Sequence, residues 1–456
     1  MRPRRAAPAR IGWVAAATLV GVTLAPAALG QHVPTEPDPR TESPLRAGDF
    51  VFHPALALDL GYDSNFARAA PSEGVEGALR LRLRPSFALA TADLGPGTVE
   101  RRGYALRVDV EASYREMRWL ESPDEAPWEG IPLRRDLEGA VRAALELAPD
   151  RDLSGTLKLG LARTTRPNNE GDLAVNESRL APEAAAGLGA TLDHGRWDLG
   201  VAHRVTGTIF EDDALRADDA LLNGSSLTAR WHVARSTALL GEAGLGVTSY
   251  LHGADAGAGA PSAPKSTSYQ LRARLGVAHL LTRRVGLVGL AGWGSGLYAG
   301  SLTDFHSVIG GAELRFFLEP LVESDPVGTG TPYVAVGFER DFEDSYLGSY
   351  LARSQGYARL SALFAGRYSI VAELLVGAVA FPATPLPSAA IASSWVDTRV
   401  DLTLTGEWRP VPWLGLDAGV TYGGYASEQV IDPGGPAEDP LSYQEVTVFF
   451  GQRVFW

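Results

Sequence analysis

The sequence predicts an all-β fold: a single transmembrane antiparallel β-barrel of about 18 strands, filling residues 49–456, with the N- and C-termini both periplasmic. Three observations predict it. Apolar and polar residues alternate over long segments, the connectors alternate between short and long, and aromatic residues gather at segment ends.

The stretch before the barrel is of another kind. Arg2, Arg4, Arg5 and Arg10 precede an apolar run from Ile11 to Leu24, and Ala28-Leu29-Gly30 offers small residues for cleavage. Residues 1–30 therefore read as a signal peptide cut before Gln31. The run is shorter than the roughly 20 apolar residues of a membrane-spanning helix. Residues 31–48 contain Pro34, Pro37, Pro39 and Pro44 among mixed charges, and read as a Pro-rich periplasmic lead-in. The chain has no cysteine, which excludes a lipid-anchored N-terminus and a disulfide framework.

From Phe50 onwards the period is two. Leu79, Leu81, Leu83, Pro85, Phe87 and Leu89 share one face, with Arg80, Arg82, Arg84 and Ser86 on the other. Tyr104, Leu106, Val108 and Val110 oppose Arg107, Asp109 and Glu111. Leu133, Leu137, Val141, Leu145 and Leu147 oppose Arg134, Asp136, Glu138, Arg142 and Glu146, and Val400, Leu402 and Leu404 oppose Arg399, Asp401 and Thr403. Successive side chains of a pleated strand point to opposite faces, so this is a strand pattern. The segments fall at 50–63, 78–93, 103–119, 133–148, 152–164, 180–193, 196–210, 221–234, 237–251, 268–281, 284–298, 305–319, 332–346, 356–366, 369–381, 394–409, 413–426 and 442–456. Those at 180–193 and 356–366 are rich in Ala and Gly, and their alternation is least marked. Soluble strands run about 5–6 residues and tilted membrane strands about 9–11; these segments belong to the longer class.

The connectors give the second observation. Ala148 to Arg151, His194-Gly195, Arg235-Ser236, Thr282-Arg283, Gly366-Arg367 and Pro410 to Pro412 are short. Between them lie long polar loops, such as Leu120 to Pro132, Thr165 to Arg179, His252 to Thr267 and Gly423 to Leu441. Short periplasmic turns opposite longer external loops are the habit of bacterial barrels. The same topology puts Tyr104, Trp197, Trp231, Tyr333, Tyr368, Trp408, Trp413 and Trp456 at periplasmic strand ends. It puts Tyr62, Trp119, Phe210, Tyr250, Tyr269, Tyr298, Tyr346, Trp395 and Tyr443 at external ends. Two aromatic belts at the membrane interfaces are the expected result.

Charge and motif content narrow the function. Without the four N-terminal arginines the balance is 37 basic against 54 acidic residues, a net charge of −17, which speaks against nucleic acid as a partner. No catalytic set has persuasive spacing: the histidines are scattered, no His-Glu pair has metalloprotease spacing and no Gly-rich loop precedes a helix. The acidic run Glu211-Asp212-Asp213 reads as a solvated loop. The expectation is a protein that is not an enzyme and has neither cofactor nor metal.

A barrel of about 18 strands can enclose water, and charge inside a membrane span is tolerated only when it faces such a cavity. Arg80, Arg82, Arg84, Arg107, Asp109, Glu111, Arg134, Arg142, Arg399 and Asp401 are therefore expected to line the lumen. Two readings stay open: an interstrand salt-bridge lattice that stiffens or plugs the barrel, or a selectivity lining that favours anionic or hydroxyl-rich solutes.

Two resemblances bear on this. Gly451-Gln452-Arg453-Val454-Phe455-Trp456 resembles the closing-strand signal of outer-membrane barrels, although the usual last residue is phenylalanine. The resemblance implies that Gly451, Val454 and Trp456 engage the barrel-assembly machinery. Gly61-Tyr62-Asp63-Ser64-Asn65 resembles the G-Y-D-x-N opening of outer-membrane porins associated with exopolysaccharide gene clusters. Alginate-export porins share the 18-stranded architecture and an arginine-rich constriction. This likeness implies export of a polysaccharide, with Arg80, Arg82, Arg84, Arg107 and Arg134 lining the path and periplasmic export components as partners. The function expected is thus a porin that passes a hydrophilic solute, carbohydrate or exported exopolysaccharide, across the outer membrane among its lipids. The alternative is a closed structural or interaction barrel whose external loops bind partners.

Overall fold

The computed structural model describes residues 45–47, 49–65, 77–91, 103–119, 133–149, 151–165, 178–252, 267–298, 303–321, 331–345, 349–383, 394–427 and 442–456. The expected signal peptide and most of the lead-in lie outside the described residues. A short strand, β1 (Leu45–Ala47), precedes 18 long ones. These are β2 (Phe50–Asp63), β3 (Ala78–Thr91), β4 (Tyr104–Trp119), β5 (Leu133–Leu147), β6 (Leu153–Thr164), β7 (Arg179–Leu192), β8 (Trp197–Phe210), β9 (Ala220–Ala234) and β10 (Thr237–Tyr250). They continue as β11 (Ser268–Thr282), β12 (Val285–Tyr298), β13 (Phe305–Phe317), β14 (Tyr333–Asp344), β15 (Tyr350–Phe364), β16 (Tyr368–Phe381), β17 (Trp395–Val411), β18 (Leu414–Ala426) and β19 (Tyr443–Phe455).

Each long strand pairs antiparallel with its chain neighbours, and β19 closes on β2 with Phe450 opposite Leu60. The result is a closed 18-stranded antiparallel barrel. Closure follows from the solvent, because hydrocarbon offers no partner for a free strand edge. Every expected segment is a strand. One boundary differs by more than two residues: β15 starts at Tyr350, six residues before the expected 356. β1 was not expected. It pairs with the β2 edge that β19 leaves, Leu45 opposite Phe52, just beyond the point where the Trp456 N–H donates to the Pro54 carbonyl.

The alternation translates directly into faces. Outward residues are apolar and exposed, among them Leu60, Leu79, Leu137, Leu188, Leu275, Val308 and Phe450. Inward residues carry the charge. Short turns at one end use left-handed residues, such as His194-Gly195 and Ala365-Gly366, as tight hairpin connections require. At that end Trp197 stacks on Trp231 at 5.3 Å and Tyr368 on Trp408 at 6.3 Å, all four outward and exposed.

The belt at the long-loop end needs correcting. Tyr62 and Tyr269 face outward as expected, but Phe210, Tyr298 and Trp395 are buried on the inner side, and Tyr250 and Tyr443 share that inward face. Their neighbours Ile209, Leu297 and Val396 occupy the outward positions. Trp119's side chain and Tyr346 lie outside what is described. Two apolar clusters are buried inside this end of the barrel: Leu351, Val379, Phe381 and Trp395 form one, and Phe305, Ile309, Phe342 and Ala352 the other.

Candidate functional site

The inner wall formed by β2–β5 and β17–β19 is a lattice of ion pairs. Arg80, Arg82 and Arg84, alternating with outward leucines, point inward but are only 7–8% exposed. Arg84 lies 2.8 Å from Asp59 on β2 and 3.9 Å from Asp417 on β18. Arg82 donates to Ser113 at 2.8 Å and lies 3.9 Å from Glu138. Arg115 pairs with Asp136 at 2.9 Å and Glu138 at 3.5 Å, and donates to Thr165 at 3.0 Å. Arg80 lies over the Phe449 ring at 5.8 Å. Charges this well covered persist only when paired, since losing a partner strands the other in a poorly solvated place.

The remaining expected lumen residues are arranged differently. Arg107 pairs with Asp109 at 2.8 Å near the short-turn end, where both are hydrated, and Arg142 is exposed opposite Asp109. Glu111 faces inward, partly buried, opposite Ala140. Arg134 belongs to β5, but its side chain lies outside what is described. Arg399 donates to Asp401, and the pair lines a small cavity with Arg353, Gln355, Leu375, Gly377 and Val379. Thus the structure brings together Arg82 and Arg84 with partners from four other strands, and sets Arg107, Asp109 and Arg142 apart from them.

The two sequence motifs meet at the closing seam. Asn65 donates its backbone N–H to Asp63 at 3.1 Å and its side-chain amide to the Gln444 carbonyl at 3.0 Å. Ser64 exchanges hydrogen bonds with Val446, at 2.9 and 2.8 Å. Asp63-Ser64-Asn65 therefore pins the end of β2 onto β19. On β19, Gly451 lies between Asp59 and Asp417, and a methyl there would run into Asp59 and come within 2.8 Å of Asp417. Val454 and Trp456 continue the outward face of Val446, Val448 and Phe450.

A feature that the sequence reading missed narrows the lumen. β13 pairs with β14 only from Phe317 opposite Tyr333 up to Gly310 opposite Arg340, whereas β14 and β15 stay paired up to Asp344 opposite Tyr350. Beyond Arg340 the end of β14 parts from β13 and lies against the inner faces of β10–β13, while β15 stays paired with β16 as far as Ala352 opposite Ala380. Asp344 accepts hydrogen bonds from Thr248 on β10 at 2.5 Å, Ser268 on β11 at 2.8 Å and Tyr298 on β12 at 2.8 Å. Asp341 pairs with Arg272 at 3.0 Å, and the Phe342 ring stacks on Phe305 at 4.2 Å. Gly294 and Gly296 make room for that ring, since a methyl at Gly294 would approach it to 2.6 Å. Arg340 covers the abandoned β13 edge, donating to the Val308 carbonyl and Ser307 at 3.2 Å each. On the lumen side of the hairpin Arg353 pairs with Glu343 at 2.6 Å. The one sequence sign was Phe342 and Leu351, apolar on opposite faces of a paired hairpin.

An apolar exterior, a charged interior and a closed ladder define a membrane-spanning β-barrel. No family model matches the chain, and no curated protein matches it. Among solved structures it is similar to OpdK from Pseudomonas aeruginosa, solved with vanillate, at 12% identity over 89% of this chain and 99% of that one, with a TM-score of 0.44. It is similar to a BenF-like porin from Pseudomonas fluorescens at 9% identity over 89% and 99%, with a TM-score of 0.43. It is also similar to a bacterial polysaccharide outer membrane secretin at 9% identity over 89% and 98%, with a TM-score of 0.32. Likenesses this loose go no further than the shape of a large barrel.

Proposed function

We propose that the protein is an outer-membrane porin that passes a hydrophilic, hydroxyl-rich solute such as a carbohydrate or an exported polysaccharide. One observation carries the reading: a closed 18-stranded barrel presents polar and charged residues inward and narrows its lumen with an inward hairpin. The pairing of the charges favours hydroxyl-rich over strongly anionic solutes. Arg107 with Asp109, Arg353 with Glu343 and Arg399 with Asp401 nearly cancel each other's fields while leaving donors and acceptors side by side. In this reading a signal peptide at residues 1–30 delivers the chain, the termini stay periplasmic, and the assembly machinery recognises Gly451, Val454 and Trp456. Polysaccharide and periplasmic export components are the partners that this reading assigns. The test is conductance in planar bilayers together with swelling of protein-loaded liposomes in oligosaccharide solutions. Steady conductance and size-graded sugar entry are expected.

A second reading, a closed structural or interaction barrel, is favoured by the apolar clusters packed inside the long-loop end. Silent bilayers and sugar-impermeable liposomes with correctly assembled protein would sink the channel and leave this one standing.

A further inference from the structure

Charge is almost absent from the outward face of the barrel. Among the described residues, alternation and register place outward only Glu116 and Arg118 on β4, Arg135 on β5, Arg163 on β6 and Arg340 on β14 as carboxylates or guanidiniums. Arg340 is engaged at the β13–β14 seam. The other four lie together at the long-loop ends of three adjacent strands. Such grouping is hard to attribute to chance when the outward positions of fourteen other strands carry none.

Their level can be read from their neighbours. Arg118 stands opposite the exposed Leu79, with the outward Tyr62 on the next strand; Arg163 stands opposite Leu180, with the exposed Ile209 beyond. Leu137 and Leu161, exposed and apolar, lie two residues further into the barrel wall. A guanidinium is costly in hydrocarbon and favourable at the head groups, so this row marks the head-group level. Arg118 is exposed and makes no ion pair among the described residues. Arg135 is 64% exposed and has Glu116 at 3.6 Å. Arg163 is held by Glu211 through two hydrogen bonds of 2.6 and 2.7 Å, and holds that carboxyl below the usual carboxylate range. Two guanidinium forks are thus presented at the depth of lipid phosphates, where a fork can meet a phosphate through two parallel hydrogen bonds. Glu116, which accepts from the Tyr114 hydroxyl at 2.8 Å, stands beside Arg135, and Glu211 lies at the far end of the row against Arg163. Both carboxylates keep lone pairs for sugar hydroxyls, which a simple phospholipid head group supplies poorly.

We infer that Arg118 and Arg135, flanked by Glu116, Arg163 and Glu211, form a binding site on the barrel's outer rim for a phosphorylated glycolipid of the leaflet facing the long loops. The site rests on the reading of the chain as a membrane barrel with those loops outward. The test is native mass spectrometry of the full chain in detergent, titrated with lipid A and, separately, with phosphatidylglycerol. Wild type is expected to retain lipid A, and R118Q/R135Q to bind it about tenfold or more weakly, as loss of two interfacial cations implies. R235Q, at a short turn on the opposite rim, is expected to bind as wild type does. Heat-modifiable migration on gels checks that each variant is an assembled barrel; should the double variant fail that check, R135Q alone carries the comparison. Equal lipid A retention in assembled wild type and variant overturns the site. Equal retention of phosphatidylglycerol, or displacement by inorganic phosphate, overturns the glycolipid assignment. Failure of wild type to migrate as a heat-modifiable barrel would instead overturn the membrane-barrel reading itself.

Discussion

Between Asp59 and Asp417, Arg84 supplies the cation that two carboxylates leaning over Gly451 need. Alternation alone placed Arg84 inside the barrel, but not its partners. Asp417 and Gly451 are more than three hundred residues away in sequence, and become neighbours only when β19 closes on β2. The misplaced aromatics teach the complementary lesson. Residue type alone assigns Trp395 to a lipid-facing belt, although Val396, Val400 and Leu402 fix its side of the strand as inward. Inside, its indole N–H donates to the buried Asp397 at 3.0 Å, which no residue-type preference foretells. Two arginines of the inner face should therefore differ in weight. Arg84→Met leaves two buried carboxylates without their bridging cation and is expected to cost about 3–5 kcal/mol. Arg107→Met removes half of a hydrated pair and is expected to cost about 1 kcal/mol or less. The measurement is the temperature at which each variant loses its heat-modifiable band; equal shifts for the two would defeat the lattice account.

Strands were far more legible than sites, and the reason is the solvent. A strand with lipid on one side and water on the other must alternate along its whole length, so β3, with Leu79, Leu81 and Leu83 against Arg80, Arg82 and Arg84, declares itself. The start of β15 does not. Leu351 and Ala352 sit where β14 has parted from β13, each face packed into a different apolar cluster, so both are buried and the pattern lapses. β1 escaped because three residues behind a Pro-rich stretch are too short for any period to show. The closing strand lies at the legible extreme: Val446, Val448, Phe450, Val454 and Trp456 share the outward face. Replacing Val454 and Trp456 together by Asp should block assembly rather than transport, because it removes the apolar closing-strand residues and puts two charges where β19 must face lipid, at about 1 kcal/mol or less each near an interface and more towards the midplane. Surface-exposed, heat-modifiable protein at wild-type levels would show that these positions are dispensable.

For the molecule as a whole, the ladder that closes the barrel and the hairpin that narrows it are separable. Backbone pairing around β2–β19 does not pass through the tip of β14, which β13 has already left at Arg340. The tip is held by side chains, chiefly Asp344 with Thr248, Ser268 and Tyr298, and Asp341 with Arg272. In D341A/D344A these tethers vanish. Arg274 keeps Glu242 at 2.7 Å and Arg272 keeps Gln270 at 2.8 Å, so no cation is stranded, and the freed hydroxyls, buried under the tip, can take water into the space that the carboxylates leave. What then retains the tip is the Phe342–Phe305 stack, worth about 0.5–1.5 kcal/mol beyond its buried area, with the Arg272 guanidinium against Phe342, the Tyr350 ring contacts and the Arg340 contacts to β13. Below it β15 stays laddered to β16. The tip beyond Arg340 should sample positions away from β10–β13, and the lumen should change width without losing its fold. The expected outcome in planar bilayers is a noisier current whose mean conductance differs from wild type, at unchanged heat-modifiability. Liposome swelling should show a shifted size limit for oligosaccharides. An identical conductance and an identical size limit would mean that the hairpin does not set the passage. A silent wild type beside a conducting variant would make the hairpin a plug, and silence in both would hand the barrel to the structural reading.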